Sequence, residues 1–396
     1  MYTLCGSGAS TASDTRKAVA EALEQALAKF GGRTPSLGFL FVAPERGVAG
    51  ALSVARERLR GIDFVGCSTA GEITERGLSH GGVACLLVGW GKARHELSIV
   101  RKMDAPAKDI AQEICDAFDA SAEGHRVSGR GVSTCLILGD GLSPNFEKLV
   151  VEIRRKVPEE QLFVGAGAAD EGHLARTVVG ANGLEFSGGV VALHVYSQDR
   201  WGAGVEHGLE VVSPRMTITK AAGNVVMEID GKPALSVYKK FARERGVELK
   251  PEDVPRFLME HELGVLLFEQ VVRVRAPIRV EPNGALFFAG EVPEGSNVCV
   301  VRGEPDAMTE GARVAARTAR EELGASEAAG VLVFSCICRG TTFGSRYDEE
   351  IAAIRQVFPE APIAGFLSYG EVARSPGKLD GYHNNTVVVV AIPRGA

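Results

Sequence analysis

Three stretches of the chain repeat one alternation of continuous and periodic apolar positions. The first runs SLGFLFVAPE, then places Val48, Leu52, Ala55 and Leu59 at helical spacing before Gly61, and returns to IDFVG, which ends in CSTAGEI. A short apolar run reads as a buried strand, and a 3.6-residue period closed by glycine reads as an amphipathic helix. The second runs STCLILGDG, puts Ser143 and Pro144 at N-cap and first-turn positions, aligns Phe146, Leu149, Val150, Ile153 and Val157, and ends in LFVGAGAADE. The third runs VLVFSCICRG as a strand and then aligns Tyr347, Ile351, Ile354 and Phe358. It spaces Ser345 and Asp348 as a capping box and ends in PIAGFLSYGEVA.

Between these units lie further β-type runs: VACLLVGW, VVALHVY, MTITKAAGNVVMEIDG, ALFFAG and TVVVVAI. Glu281-Pro-Asn-Gly284 separates two strands as a hairpin turn does. Helices are expected near Leu235 to Arg245 and from Pro305 to Leu323, closed by Gly324. The pattern predicts a mixed α/β (α+β) fold with mixed sheets flanked by helices. The length favours two domains, residues 1–213 and 214–396.

Composition narrows the function classes. Hydrophobic residues make up 45% and charged residues 24%, ordinary values for a globular protein. Net charge is −6 with no dense block of Lys and Arg, which argues against nucleic acid as a partner. The start, MYTLCGSGAS, has neither a basic nor an apolar leader region, and VVVVAI is too short to span a bilayer. A cytoplasmic location is therefore expected. Most of the eight cysteines sit in apolar runs, as reduced thiols do in a core.

Aligned on their glycines, the closing strands read Gly66-x4-Gly71-Glu72, Gly165-x4-Asp170-Glu171 and Gly365-x4-Gly370-Glu371, with an acid six residues after each first glycine. A strand end of this kind lets side chains and free N–H groups converge on a ligand, whereas a plain loop exit also uses glycine for its positive φ. Cys67, Ser68 and Thr69 offer nucleophiles, but GCSTAG is not a G-x-S-x-G elbow and no histidine lies beside it, so binding is favoured over catalysis. Cys336-x-Cys338 lacks a second ligand pair, so no metal site is expected and both thiols read as core or strand residues. No P-loop or dinucleotide fingerprint is present.

The strings GCSTAGEI, LILGDGL, GNVVMEIDGKPAL, GEVPEGSNV, VFSCICRG, AGFLSYGEV and HNNT occur in the order seen in FIST proteins. The chain resembles a FIST N-terminal domain followed by a FIST C-terminal domain over nearly its whole length. The resemblance implies an intracellular bacterial sensor of small ligands, with amino acids proposed, acting through a separate partner such as a histidine kinase. An amino-acid ligand requires an acid for its ammonium and a guanidinium or N–H groups for its carboxylate. The candidates are Cys67, Ser68, Thr69, Gly71 and Glu72, with Asp140 at a strand end, Arg275, Arg339, and Ser368, Tyr369, Gly370 and Glu371. Arg339 reads equally as a structural ion-pair partner, and Asp140 as a loop residue. No cofactor is required by this reading. The alternative that the resemblance raises is a haem-binding nitric-oxide sensor, with His194 or His207 as axial ligand.

Overall fold

The long apolar runs are buried on both faces because each becomes an inner strand of a sheet covered on two sides. The computed structural model describes residues 2–126, 132–158, 161–374 and 380–395. The first unit contains β1 (Leu4–Ser10), α1 (Thr15–Leu27), β2 (Leu37–Val42), α2 (Val48–Arg58), β3 (Asp63–Ser68), a hairpin of β4 (Glu72–Thr74) and β5 (Gly77–Ser79), and β6 (Val83–Gly89). The second follows the same order: β7 (Arg94–Val100), α3 (Ala107–Arg126), β8 (Val132–Gly139), α4 (Phe146–Lys156), β9 (Leu162–Gly167), hairpin β10 (Val179–Ala181) and β11 (Leu184–Phe186), and β12 (Val190–Ser197).

The third unit begins with β13 (Gly202–Glu206) and is then interrupted. The insertion holds β14 (Leu209–Val211), β15 (Met216–Ala222), β16 (Val225–Ile229), β17 (Lys232–Pro233), α5 (Ala234–Arg243), α6 (Val254–Glu260), β18 (Glu262–Leu267), β19 (Gln270–Arg275), β20 (Pro277–Val280), β21 (Leu286–Phe288) and β22 (Asn297–Gly303). The unit resumes with α7 (Pro305–Glu322), β23 (Ala328–Cys336), α8 (Ile337–Phe343), α9 (Asp348–Val357), β24 (Ile363–Ser368), hairpin β25 (Glu371–Arg374) and β26 (Asp380–His383), and β27 (Val387–Pro393).

Each unit builds a sheet from its own strands in one spatial order: β1-β6-β2-β3, β7-β12-β8-β9 and β13-β27-β23-β24. The inner pairs β2/β3, β8/β9 and β23/β24 run parallel, as strand-helix-strand connections require. The hairpins, however, leave home. That of the first unit extends β24 of the third, that of the second extends β3 of the first, and that of the third extends β9 of the second. The exchange is cyclic, so the three units have a pseudo-three-fold relation.

One face of each sheet meets the others in a shared core that includes Phe39, Phe41, Leu138, Val164, Phe334 and Phe366. Phe366 lies 5.0 Å from Phe41 and 5.6 Å from Phe334 between ring centroids. The outer faces are covered by α1 and α2, by α3 and α4, and by α7 and α9. The insertion packs a nine-stranded sheet against its own helices.

The mixed α+β expectation holds, and several boundaries are corrected. The third strand ends at Cys336 and residues Ile337–Phe343 turn helical. The second helix starts at Phe146, with Asn145 at its N-cap, because Ser143 and Pro144 form a turn before it. The Ser345/Asp348 box does not form; Asp348 instead accepts the Leu78 N–H of the first unit's hairpin at 3.1 Å. The expected division at 213 falls between β14 and β15, and strands from its two sides share three of the four sheets.

Candidate functional site

Gly66, Gly165 and Gly365 sit at one equivalent point in the three inner strand pairs. A Cβ there would lie 2.2, 1.9 and 1.8 Å from the carbonyl oxygens of Leu40, Ile137 and Val333. Close approach of neighbouring backbones, not positive φ at the loop exit, explains the repeated glycine at 66 and 365. The acid that follows has a local partner set. Glu72 accepts the Thr69 hydroxyl at 2.6 Å and the Gly82 N–H at 2.8 Å; Glu371 accepts the Ser368 hydroxyl at 2.7 Å and the Thr386 hydroxyl at 2.9 Å. Each carboxyl thus ties the start of a hairpin to the residue before the returning strand. In the second unit Asp140 supplies this tie from the end of β8, accepting the Gly188 N–H and the Thr177 hydroxyl.

Burial pushes the Glu72 carboxyl up to about 7, against hydrogen bonds from Thr69 and Gly82. Glu371, fully buried, is raised well above the carboxylate range. The remaining residues of the opening motif form a seam with the second unit: the Ser68 N–H donates to the Val178 carbonyl at 2.9 Å, its carbonyl accepts the Ala169 N–H at 2.9 Å, and its hydroxyl accepts the Val178 N–H at 3.1 Å. Cys67 lies in the shared core with its thiol pushed up by burial. Tyr369 donates to Asp170 at 2.5 Å, and Asp170 also accepts the N–H groups of Leu174, Ala175 and Arg176. Gly370, at φ 92°, passes so close to Tyr382 that a Cβ would lie 2.0 Å from its hydroxyl. Gly71 adjoins the side chains of Leu78 and His80.

Both arginines expected to meet a ligand carboxylate are engaged internally. Arg339 is fully buried, binds Glu350 at 2.5 and 2.8 Å, and donates to the carbonyls of His207 and Met308. Arg275 binds Glu147 at 2.6 Å and donates to the carbonyls of Val274, Tyr382 and Glu291, joining the insertion to the second and third units. Their geometry is that of structural ion pairs, with every nitrogen turned toward a protein acceptor.

A different group collects around Glu371. Cys336 ends β23, Cys338 follows in α8, Glu262 opens β18, His383 ends β26, and Asn384 to Thr386 form the turn before β27. The Asn385 amide donates to Glu262 at 2.8 Å. Glu262 Oε1, Asn384 Oδ1, Asn385 Oδ1 and both ring nitrogens of His383 are buried without a well-formed hydrogen bond. Burial, with the neighbouring Cys336 adding, pushes the Glu262 carboxyl up to about 8. The Cys336 thiol is brought down to about 7 chiefly by a hydrogen bond from Cys338, aided by the N–H groups of Cys338 and Asn385 and by Glu371. His383 is held neutral by burial and by Arg275 and Arg273, its pKa lowered to about 3. Sequence reasoning missed this set apart from Glu371. Its only signals were Cys-x-Cys at a strand end and the polar HNNT run inside an apolar context. Among the described residues, no three of His, Cys, Asp or Glu are arranged to hold a metal ion.

The model of the FIST N domain matches residues 36–232, and that of the FIST C domain matches 234–374. The chain belongs to the FIST family. FIST domains are associated with signal-transduction sensors. Uncharacterized proteins of Mycobacterium tuberculosis strains CDC 1551 and H37Rv are each 22% identical to this FIST chain over 387 residues, covering 94% of it and 95% of their own length. A chorismatase crystal structure aligns over 99% of this chain and 98% of its own with 9% identity and a TM-score of 0.35, a likeness that carries no argument about fold or activity. Among the described residues, no helix is long and apolar enough to cross a membrane.

The two histidines considered for haem lie apart. His207 accepts the Leu209 N–H through Nδ1 at 2.9 Å. His194 shares a hydrogen bond of 2.9 Å with Ser98 through Nε2, packs against Phe118 at 4.9 Å, and leaves Nδ1 without a partner beside an apolar pocket. Burial holds it neutral, near 4. The cavity there is about 30 Å³, well below the range for small-molecule sites.

Proposed function

We propose that this FIST protein is an intracellular small-molecule sensor that reads an amine-bearing ligand, such as an amino acid, at the polar group around Glu262, Asn384, Asn385 and Glu371. One observation carries the reading: three buried oxygen acceptors, Glu262 Oε1, Asn384 Oδ1 and Asn385 Oδ1, make no well-formed hydrogen bond, with only the Cys338 thiol near Glu262. Folded chains pair nearly all buried polar groups, so acceptors left over in one turn and the strand beside it are suited to a ligand donor. An ammonium brings three N–H donors and no acceptor. The ligand signal passes to a separate signalling protein, for which a histidine kinase is the proposed class.

Calorimetric titration of the full chain with the twenty amino acids and simple primary amines tests this. Binding of an ammonium draws Glu262 toward its carboxylate, so a proton is released below about pH 8 and the observed heat depends on the buffer's ionisation enthalpy. Glu262→Gln weakens binding by about 1 to 3 kcal/mol, the range for a hydrogen bond to a charged group. Absence of binding by every amine, or binding that Glu262→Gln leaves unchanged, refutes the assignment.

A further inference from the structure

We propose that the cleft where the first unit meets the third is a second ligand site, and that it takes small aryl carboxylates. This goes beyond the amine reading and does not depend on it. The cleft has a volume of about 460 Å³, inside the range of small-molecule sites. It lies at the start of β23, beside Ala328 and Ala329, whereas the polar group around Glu371 gathers at the other end of that strand, at Cys336. Residues 328 to 336, at about 3.3 Å per step, separate the two ends by roughly 26 Å. One small molecule therefore cannot occupy both.

The buried part of the lining is apolar. Cys5 of β1, Ala329 of β23 and Phe358 after α9 form it, and Pro359 and Pro362 extend it along the loop to β24. Phenyl and prolyl rings offer flat apolar faces on which a ligand ring packs. The charged part of the lining favours an anion. Lys29 just past α1, Arg320 in the last turn of α7 and Arg394 after β27 face Glu327 and Glu360. Glu327 is already held by Arg394 at 3.3 Å. Arg320 donates to the Gly324 carbonyl at 3.0 Å through Nη1, and Lys29 has no ion pair among the described residues. Only Glu360 is left to oppose Lys29 and Arg320. A carboxylate placed between these two cations gains charge-assisted hydrogen bonds while its ring covers the apolar floor. An amine in the same place meets an excess of like charge, which keeps the two sites selective for different ligands.

Calorimetric titration of the full chain with benzoate and 4-phenylbutanoate, set against benzamide and 4-phenylbutanamide as neutral counterparts, tests the site. The expected result is one carboxylate bound per chain, at least about tenfold more tightly than its amide, with an affinity that falls as salt is added. Lys29→Met lowers carboxylate affinity about tenfold, the loss of a hydrogen bond to a charged group. Lys29 is exposed, so this variant keeps its fold. Ala361→Trp fills the cleft from the loop before β24 and abolishes binding, with the far-UV circular dichroism spectrum as the check on folding. Glu262→Gln leaves carboxylate binding unchanged, so a failure here and a failure of the amine reading are told apart. No binding of either carboxylate, equal affinity for the amides, or full affinity in Lys29→Met overturns the proposal. A loss of carboxylate binding in Glu262→Gln overturns it as well, by placing the ligand at the other end of β23.

Discussion

Replacing Arg339 with methionine separates a structural role from a ligand-binding one. The substitution keeps most of the side-chain volume but removes the guanidinium from Glu350, whose carboxylate is then left in a fully buried site with only the Ser335 and Tyr347 hydroxyls, at 2.6 and 3.0 Å. Breaking a buried ion pair from one side costs about 3 to 5 kcal/mol, because the remaining charge is uncompensated. The carbonyls of His207 and Met308 also lose their donor, at about 1 to 3 kcal/mol for each buried group left unpaired. These costs overlap, since all arise from one guanidinium, so a loss of about 4 kcal/mol is expected for Arg339→Met. The double variant Arg339→Met with Glu350→Met removes the stranded charge and is expected to recover about half of it. Urea unfolding followed by far-UV circular dichroism and by the fluorescence of Trp90 and Trp201 measures both, with the m-value as a check that the unfolded state is unchanged. A loss below about 1 kcal/mol, or an amine affinity that falls while stability does not, refutes the structural assignment.

Two further outcomes follow from the hairpin ties. Glu72 has a folded pKa of about 7 against an ordinary 4.5, so the stability it contributes is fully present below about pH 4.5 and is lost as pH rises through about 7, an amount on the order of 3 kcal/mol. Glu72→Gln flattens that slope when pH-dependent urea midpoints of variant and wild type are subtracted, and equal slopes in the two proteins contradict the buried-carboxyl account. Gly365→Ala forces a Cβ to within 1.8 Å of the Val333 carbonyl, where only backbone can yield, and is expected to cost about 2 kcal/mol or more by the same unfolding assay. Wild-type stability in Gly365→Ala would show that the strand pair can separate freely.

What the sequence determined by itself is local. Continuous apolar runs, helical periods such as Phe146, Leu149, Val150 and Ile153, and a glycine in each closing strand were enough to expose three related units and the α+β class, because each is fixed by neighbours a few residues away. Even there the cause of the glycine was hidden: Gly66 and Gly365 face a neighbouring strand's carbonyl, a contact that no window of sequence contains. The tertiary structure alone decided which sheet each hairpin joins, since Glu72 pairs opposite Phe366 and Glu371 opposite Ala166 across long stretches of chain. It also decided the fate of the charged residues. Arg339 and Arg275 look alike in sequence to arginines that await a ligand, and only packing reveals Glu350 and Glu147 beside them. Cys336, Glu262 and Asn385 come from three distant segments and acquire a shared chemistry only when the insertion folds against the third unit, because a lowered thiol and a raised carboxyl are properties of a buried neighbourhood and not of a residue.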